Sequence, residues 1–275
     1  MNIRPSPIAG TWYPGDPQNL KEAINGCIAQ ADISGLKSEP ICLISPHAGY
    51  RYSGSTAGHA FKLVQGKSYD LVVVISPFHN HHPDKVLISS YDAYSTPLGN
   101  IPIDRKSVSR LNTTLEGSIG EAATSITHEK EHSLEIILPF LQVALSNNFM
   151  LLPIMLSGYD LKIAEAIGKF LPQLAQNKNI LLVASTDLSH FHNLNLANKL
   201  DTNLLKQLKT MSIKKIFGSI SSGEGEACGV MPVVTALVAS KLLGAKKLRV
   251  LKYSTSADIT GDKNSVVGYA SAVIS

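Results

Sequence analysis

Leu71-Val72-Val73-Val74-Ile75-Ser76-Pro77-Phe78-His79 is the stretch that decides the fold. Five aliphatic residues run on without alternation, which is how a strand buried on both faces of a parallel sheet reads. Proline then fixes the exit of the chain, and a histidine follows. The same grammar occurs in Ile41-Cys42-Leu43-Ile44-Ser45-Pro46-His47 and in Ile180-Leu181-Leu182-Val183-Ala184-Ser185-Thr186-Asp187-Leu188-Ser189-His190. Open α/β sheets bind ligands in the crevice beyond the carboxyl ends of their strands. The histidines therefore stand where a site should be. The first two runs also repeat Ile-Ser-Pro, with histidine at once or one residue later, and two imidazoles at neighbouring strand ends invite a metal.

Working outward, helical spacing is expected over 17–32, 54–65, 105–114, 132–147, 160–174, 194–210, 212–220 and 230–243, with Pro139 kinking or breaking the fourth of these. Further strands are expected at 85–89, less buried than the others, and at 149–156, 247–254 and 265–274. Strands alternating with helices predict an α/β fold with a largely parallel, helix-covered sheet. No composition shift or low-complexity linker divides the chain, so 1–275 reads as a single domain.

The 275 residues suffice for a large core. Lys and Arg number 25 against 21 Asp and Glu, spread without blocks, so no nucleic-acid footprint is read. Met1-Asn2-Ile3-Arg4-Pro5-Ser6-Pro7 lacks the apolar core of a signal peptide, and no aliphatic run approaches a membrane span. A cytoplasmic protein is expected. Three scattered cysteines, Cys27, Cys42 and Cys228, fit a reducing compartment and give neither a disulfide framework nor a CxxC pair.

Several side chains could carry chemistry. His47 precedes Ala48-Gly49-Tyr50-Arg51-Tyr52-Ser53-Gly54, whose glycines let backbone approach a ligand; the plain alternative is a turn histidine satisfied by backbone. His79 opens the tract His79-Asn80-His81-His82, of which His81 and His82 read as peripheral. Asp187 and His190 are three apart, so a helical turn after Ser185 would put both on one face, the carboxylate orienting a general base. Otherwise Thr186 or Asp187 merely caps that helix. His128 and His132 in His128-Glu129-Lys130-Glu131-His132-Ser133-Leu134-Glu135 have i, i+4 spacing without being HExxH, which suits a place at the site entrance or behind the ligands. Cys228, in Gly223-Glu224-Gly225-Glu226-Ala227-Cys228-Gly229, approaches a helix N-terminus, where a thiolate is favoured as nucleophile or metal ligand. A lone cysteine is otherwise a small core residue.

In order, Arg4-Pro5, Ala9-Gly10-Thr11-Trp12-Tyr13-Pro14, Ser45-Pro46-His47-Ala48-Gly49-Tyr50, Ser76-Pro77-Phe78-His79, Glu131-His132-Ser133, Ser185-Thr186-Asp187-Leu188-Ser189-His190 and Cys228-Gly229 make the chain resemble the Memo (mediator of cell motility) family. Its bacterial and archaeal members carry the label AmmeMemoRadiSam system protein B. The resemblance spans nearly the whole chain. It implies a fold similar to the LigB-like class III extradiol dioxygenases, which are non-haem iron enzymes. It further implies metal ligands at His47, His79 and Cys228, with Asp187 and His190 lining the same pocket as catalytic groups and His190 as the base. Trp12, Tyr52 and His132 would meet substrate. A thiolate stands where the dioxygenases present a carboxylate, so the metal implied is iron (Fe2+) or copper. The family label also implies a functional link to a radical-SAM protein.

Two classes of function follow: an iron- or copper-dependent oxidoreductase acting on a small molecule, and a non-enzymatic protein that uses the same pocket to hold a peptide or handle a redox metal. A third, a Cys228 hydrolase with His190 as base, needs no metal.

Overall fold

A computed structural model describes residues 1–36 and 39–275. The chain opens with a two-residue strand, β1 (Ile3–Arg4), and helix α1 (Pro17–Ala29), started by an Asp16 cap and proline in its first turn. Then come β2 (Cys42–Ser45), α2 (Tyr50–Lys62), β3 (Leu71–Pro77), β4 (Val86–Ser89), β5 (Ala93–Thr96), β6 (Gly99–Pro102) and α3 (Arg105–Ile119). The middle of the chain gives β7 (Thr124–Ile126), α4 (His132–Glu135), α5 (Leu138–Ala144), β8 (Met150–Leu156), α6 (Leu161–Phe170) and β9 (Ile180–Ser185). It closes with β10 (His190–His192), α7 (Leu194–Lys209), α8 (Ile213–Ser221), α9 (Val230–Leu242), β11 (Leu248–Thr255), α10 (Ala257–Thr260) and β12 (Val266–Ile274).

The long apolar runs form the centre of one sheet, in the order β2, β9, β3, β8, all parallel. Register pairs Ser45 with Ser185 and Ile75 with Ala184, so three carboxyl ends finish side by side. The flanks are antiparallel: β12 lies against β2 and carries β10 and β11, while β4 lies against β8 and carries β7 in parallel. The sheet is thus α/β with a parallel core and antiparallel margins, made by the two C-terminal strands at one side. A small second sheet, β1-β5-β6, has no long apolar run behind it.

Helices α1, α2 and α5 pack together as one group and α3, α6 and α9 as another, both on the sheet. α9 is apolar on every side, because it is sandwiched between α6 and strands β3 and β9. The buried aliphatics form one continuous core.

Three local expectations are corrected. The 132–147 helix is two helices, with Pro139 in the first turn of α5, the position where its missing N–H costs nothing. β4 is buried throughout rather than less buried, because β7 and β8 pair with it on both sides. After Ser185 the chain does not turn helical. Thr186 N–H donates to Ser45 O at 2.9 Å and Leu188 N–H to Gly268 O at 2.8 Å, so long-range sheet bonds claim the donors a helix would have used. Among the described residues no helix is long and apolar enough to cross a membrane.

Candidate metal centre

The converging carboxyl ends of β2, β9 and β3 deliver His47, Asp187 and His79 to one place. α4 adds His132 from beside β3, and the start of α9 adds Cys228. One ring nitrogen from each of His47, His79 and His132 lies within 4.8 Å of the others. The rings meet edge to face for His47 and His79 (centroids 5.2 Å) and stacked for His79 and His132 (4.6 Å, 20°).

Hydrogen bonds assign the tautomers. His47, 2% exposed, has Nδ1 at 2.8 Å from Ser185 Oγ. Ser185 donates its only hydroxyl proton to Ser133 O at 2.7 Å, so toward His47 it can only accept. Nδ1 therefore carries the proton, and Nε2 presents a lone pair. His79 repeats the logic: its Nδ1 sits 2.9 Å from Glu131 Oε1, and its backbone N–H donates to Oε2 at 2.7 Å. Imidazoles whose outer nitrogen is held by a buried acceptor are how proteins prepare neutral metal ligands. The donor set fits a divalent metal, and these three histidines could bind one.

Glu131 is the residue sequence reasoning passed over. It caps α4, accepting Ser133 N–H at 2.8 Å, and lies 3.4 Å from His132 Nδ1. Burial alone would raise its carboxyl pKa, but the bonds and charge of His79, with the Ser133 amide, bring it down to about 2. For His79, burial lowers the pKa and the Glu131 carboxylate more than reverses it. His47 is held well below the ordinary value, by burial first and then by the neighbouring imidazoles, and burial also lowers His132. At neutral pH His47 and His132 are uncharged, the form a metal requires.

Cys228 Sγ lies 3.2 Å from His47 Nε2 and accepts Asp187 N–H at 3.3 Å. The thiolate expected at a helix N-terminus is corrected: burial and the charge of Asp187 push the thiol pKa well up. Metal binding at sulfur would have to displace that proton. Asp187 accepts His47 N–H at 2.8 Å, its Oδ2 stands 3.9 Å from His47 Nε2, and burial raises its pKa to about 7.

The pairing of Asp187 with His190 expected from their spacing does not form. His190 is half-buried at the start of β10, and its carboxylate neighbour is Glu226, which accepts His190 N–H at 2.9 Å and bonds His192 Nε2 at 2.7 Å. Burial lowers the His190 pKa, and His79 is close enough to contribute. His128 is likewise not on one helix face with His132. It precedes α4 with φ of 57°. Neither His81 nor His82 belongs to the three-histidine set.

Trp12 packs at a tilt against His132 (centroids 4.3 Å, 42°) while remaining 37% exposed, and its carbonyl accepts Tyr50 N–H at 2.9 Å, which ties it to the start of α2. Tyr52, also exposed, stands on the first turn of α2, five residues beyond His47. A cavity of about 570 Å³ lies elsewhere, lined by Lys67, Tyr69 and Lys178 near the amino ends of β3 and β9.

Comparison with known proteins identifies the family. A family model described as "Memo-like protein" matches residues 4–273. A MEMO1 family protein of Nitrosopumilus maritimus is 35% identical over 97% of this chain and 98% of its own. Those of Methanopyrus kandleri (32%, 97% and 96%) and Methanocaldococcus jannaschii (34%, 99% and 99%) are similar to the chain along its length. With the match running from Arg4 almost to the end of the last strand, and so taking in every strand end and helix start that builds the centre, the chain belongs to the Memo family.

Proposed function

We propose that this protein is an iron- or copper-dependent oxidoreductase acting on a small molecule. Its metal is held by His47 and His79 with Cys228 as third donor, and His132 lies close enough to take that place. The observation that carries the reading is the convergence of three imidazole nitrogens within 4.8 Å, with Nδ1 of His47 and of His79 engaged behind the site. A bound iron or copper ion would supply one-electron redox chemistry and Lewis acidity. The soft sulfur of Cys228 favours copper more than a carboxylate would, and the imidazoles suit either metal.

The remaining work falls to the protein. His190, held uncharged by burial, is suited to take a proton from an acidic substrate hydroxyl or thiol, and Glu226 fixes its backbone. Asp187, whose carboxyl pKa burial raises to about 7, can hold or release a proton beside His47. Trp12 and Tyr52 offer flat apolar surface to the substrate at the rim.

Anaerobic purification with elemental analysis of the wild type, His47→Ala, Cys228→Ser and His132→Ala tests the centre. Oxygen uptake with catechols, thiols and reduced copper then tests the chemistry. Near-stoichiometric iron or copper, lost in His47→Ala and in one of the other two variants, is expected and identifies the third donor. No metal after reconstitution ends the reading. Metal without oxygen uptake ends its enzymatic half and leaves a metal-handling or peptide-binding protein.

A further inference from the structure

Beside the centre lies a buried charged cluster that the chemistry above does not use. Arg4, 1% exposed, places its guanidinium against the carboxylates of Glu129 and Glu135, themselves buried, with the Tyr94 ring 4.8 Å away and Tyr13 donating to Glu135 Oε1 at 2.8 Å. Buried ion pairs are seldom worth more to stability than apolar packing of the same volume, and their best-attested use is to fix one arrangement over others. What this one fixes is legible in its remaining bonds. Arg4 Nη2 donates to the main-chain oxygen of Glu131 at 2.8 Å, and Glu129 Oε2 accepts the main-chain N–H of Glu131 at 2.7 Å. The Arg4–Glu129 pair thus holds both backbone polar atoms of the residue whose carboxylate orients His79 and neighbours His132.

We propose that Arg4 is a positioning residue of the three-histidine centre: it clamps the Glu131 backbone so that the carboxylate keeps the His79 proton on Nδ1 and its lone pair on Nε2. The proposal rests on reading the cluster as a metal centre. The geometry demands arginine in particular. One planar fork reaches two carboxylates and a carbonyl at once, whereas a lysine ammonium offers donors about a single point. Glu129 is equally specific, because both of its oxygens are engaged and a glutamine offers only one.

The test compares Arg4→Lys and Glu129→Gln with wild type and with Leu111→Ala, a core truncation on α3 away from the centre. Two readouts are taken on chelator-treated protein: imidazole tautomers by long-range 1H–15N NMR, and affinity for cobalt(II) as the probe metal. Both variants are expected to melt cooperatively, to show His79 as a mixture of tautomers, and to bind cobalt(II) 10–100-fold more weakly, the usual effect of losing a group that orients a ligand. Leu111→Ala should lose stability and keep both readouts. The proposal is overturned if the two variants keep the wild-type tautomer and affinity, or if Leu111→Ala loses them equally. Should Arg4→Lys alone fail to fold, Glu129→Gln decides; failure of both also overturns it, since the pair is then needed for the fold at large. A wild type that takes up no cobalt ends the metal reading, while the tautomer readout still decides the role of Arg4.

Discussion

Gly229 tests whether the centre is as rigid as the packing at its back requires. A Cβ built on this residue would meet Ser185 O at 2.2 Å, Thr186 Cβ at 2.6 Å and Thr186 Oγ1 at 2.8 Å. Real Cβ atoms do not come within 3.0 Å of such atoms, so Gly229→Ala forces a displacement of at least 0.8 Å. The obstacle is the end of β9, held by β2 on one side and β3 on the other, and cannot yield. The first turn of α9 must move instead, straining the 2.9 Å bond from Gly229 N–H to Thr186 Oγ1 and drawing Cys228 Sγ from its 3.2 Å contact with His47 Nε2. Overpacking of this kind costs about 1–3 kcal/mol, which at ~2–4 °C per kcal/mol for a chain near this size lowers Tm by roughly 2–12 °C. Thermal denaturation measures the cost, and a sulfur-to-metal charge-transfer band in the cobalt(II) protein would report Cys228 as the proposed third donor. We expect the band lost or shifted with far-UV circular dichroism unchanged. Gly218→Ala is the control: nothing lies within 4 Å of its added Cβ, and an α8 interior glycine replaced by alanine should gain about 0.5–1 kcal/mol. Wild-type Tm and an unchanged cobalt spectrum in Gly229→Ala would refute the argument.

Ser185→Ala removes the acceptor of His47 Nδ1–H and the donor to Ser133 O in a fully buried place; about 1–3 kcal/mol should be lost. The His47 proton should move to Nε2, and an unchanged His47 tautomer by NMR would count against the assignment made above. Asp104 gives a pH dependence. Burial would raise its pKa, but Lys178 and Ser107 outweigh this and hold it below the ordinary value. Its ionised form is therefore favoured in the fold, and the stability it contributes is present above the unfolded carboxyl pKa of ~3.9 and lost as pH falls through the depressed folded value. Asp104→Asn keeps a side-chain cap for α3 and loses the charge, so urea melts should show a deficit of about 1 kcal/mol at pH 7, discounted for the partly exposed Lys178 and shrinking as pH falls below the unfolded value of ~3.9 toward the depressed folded one. A deficit that does not shrink at all as pH falls below ~3.9 would show that the ion pair is not its source.

The long apolar runs named the centre of the sheet because burial on both faces admits few residue types; β2, β3, β8 and β9 lie where Ile41–Ser45, Leu71–Ser76, 149–156 and Ile180–Ser185 had put them. The margins were less legible. β5, β6, β7 and β10 are strands only because a neighbour's backbone claims their hydrogen bonds, and such bonds leave no local signature. The same division runs through the site. His47 and His79 stood out because few side chains can ligate a metal, whereas His132, the third of the clustered imidazoles, was read as a substrate contact, and Ser185, Ser133 and Glu131, which set the tautomers, are of types found on any surface. Asp187 and His190 show how spacing misleads: three residues apart is one helix face only if the chain turns helical, and here Ser45 O and Gly268 O captured the N–H groups first. Cys228 shows the converse, a local rule that is right in kind and too small in size. A helix N-terminus favours thiolate, but desolvation of a charge within this pocket outweighs it, with the Asp187 charge acting the same way. Chemistry chosen by residue type could therefore be read along the chain, while chemistry set by what surrounds a residue had to wait for the strand ends to be brought together.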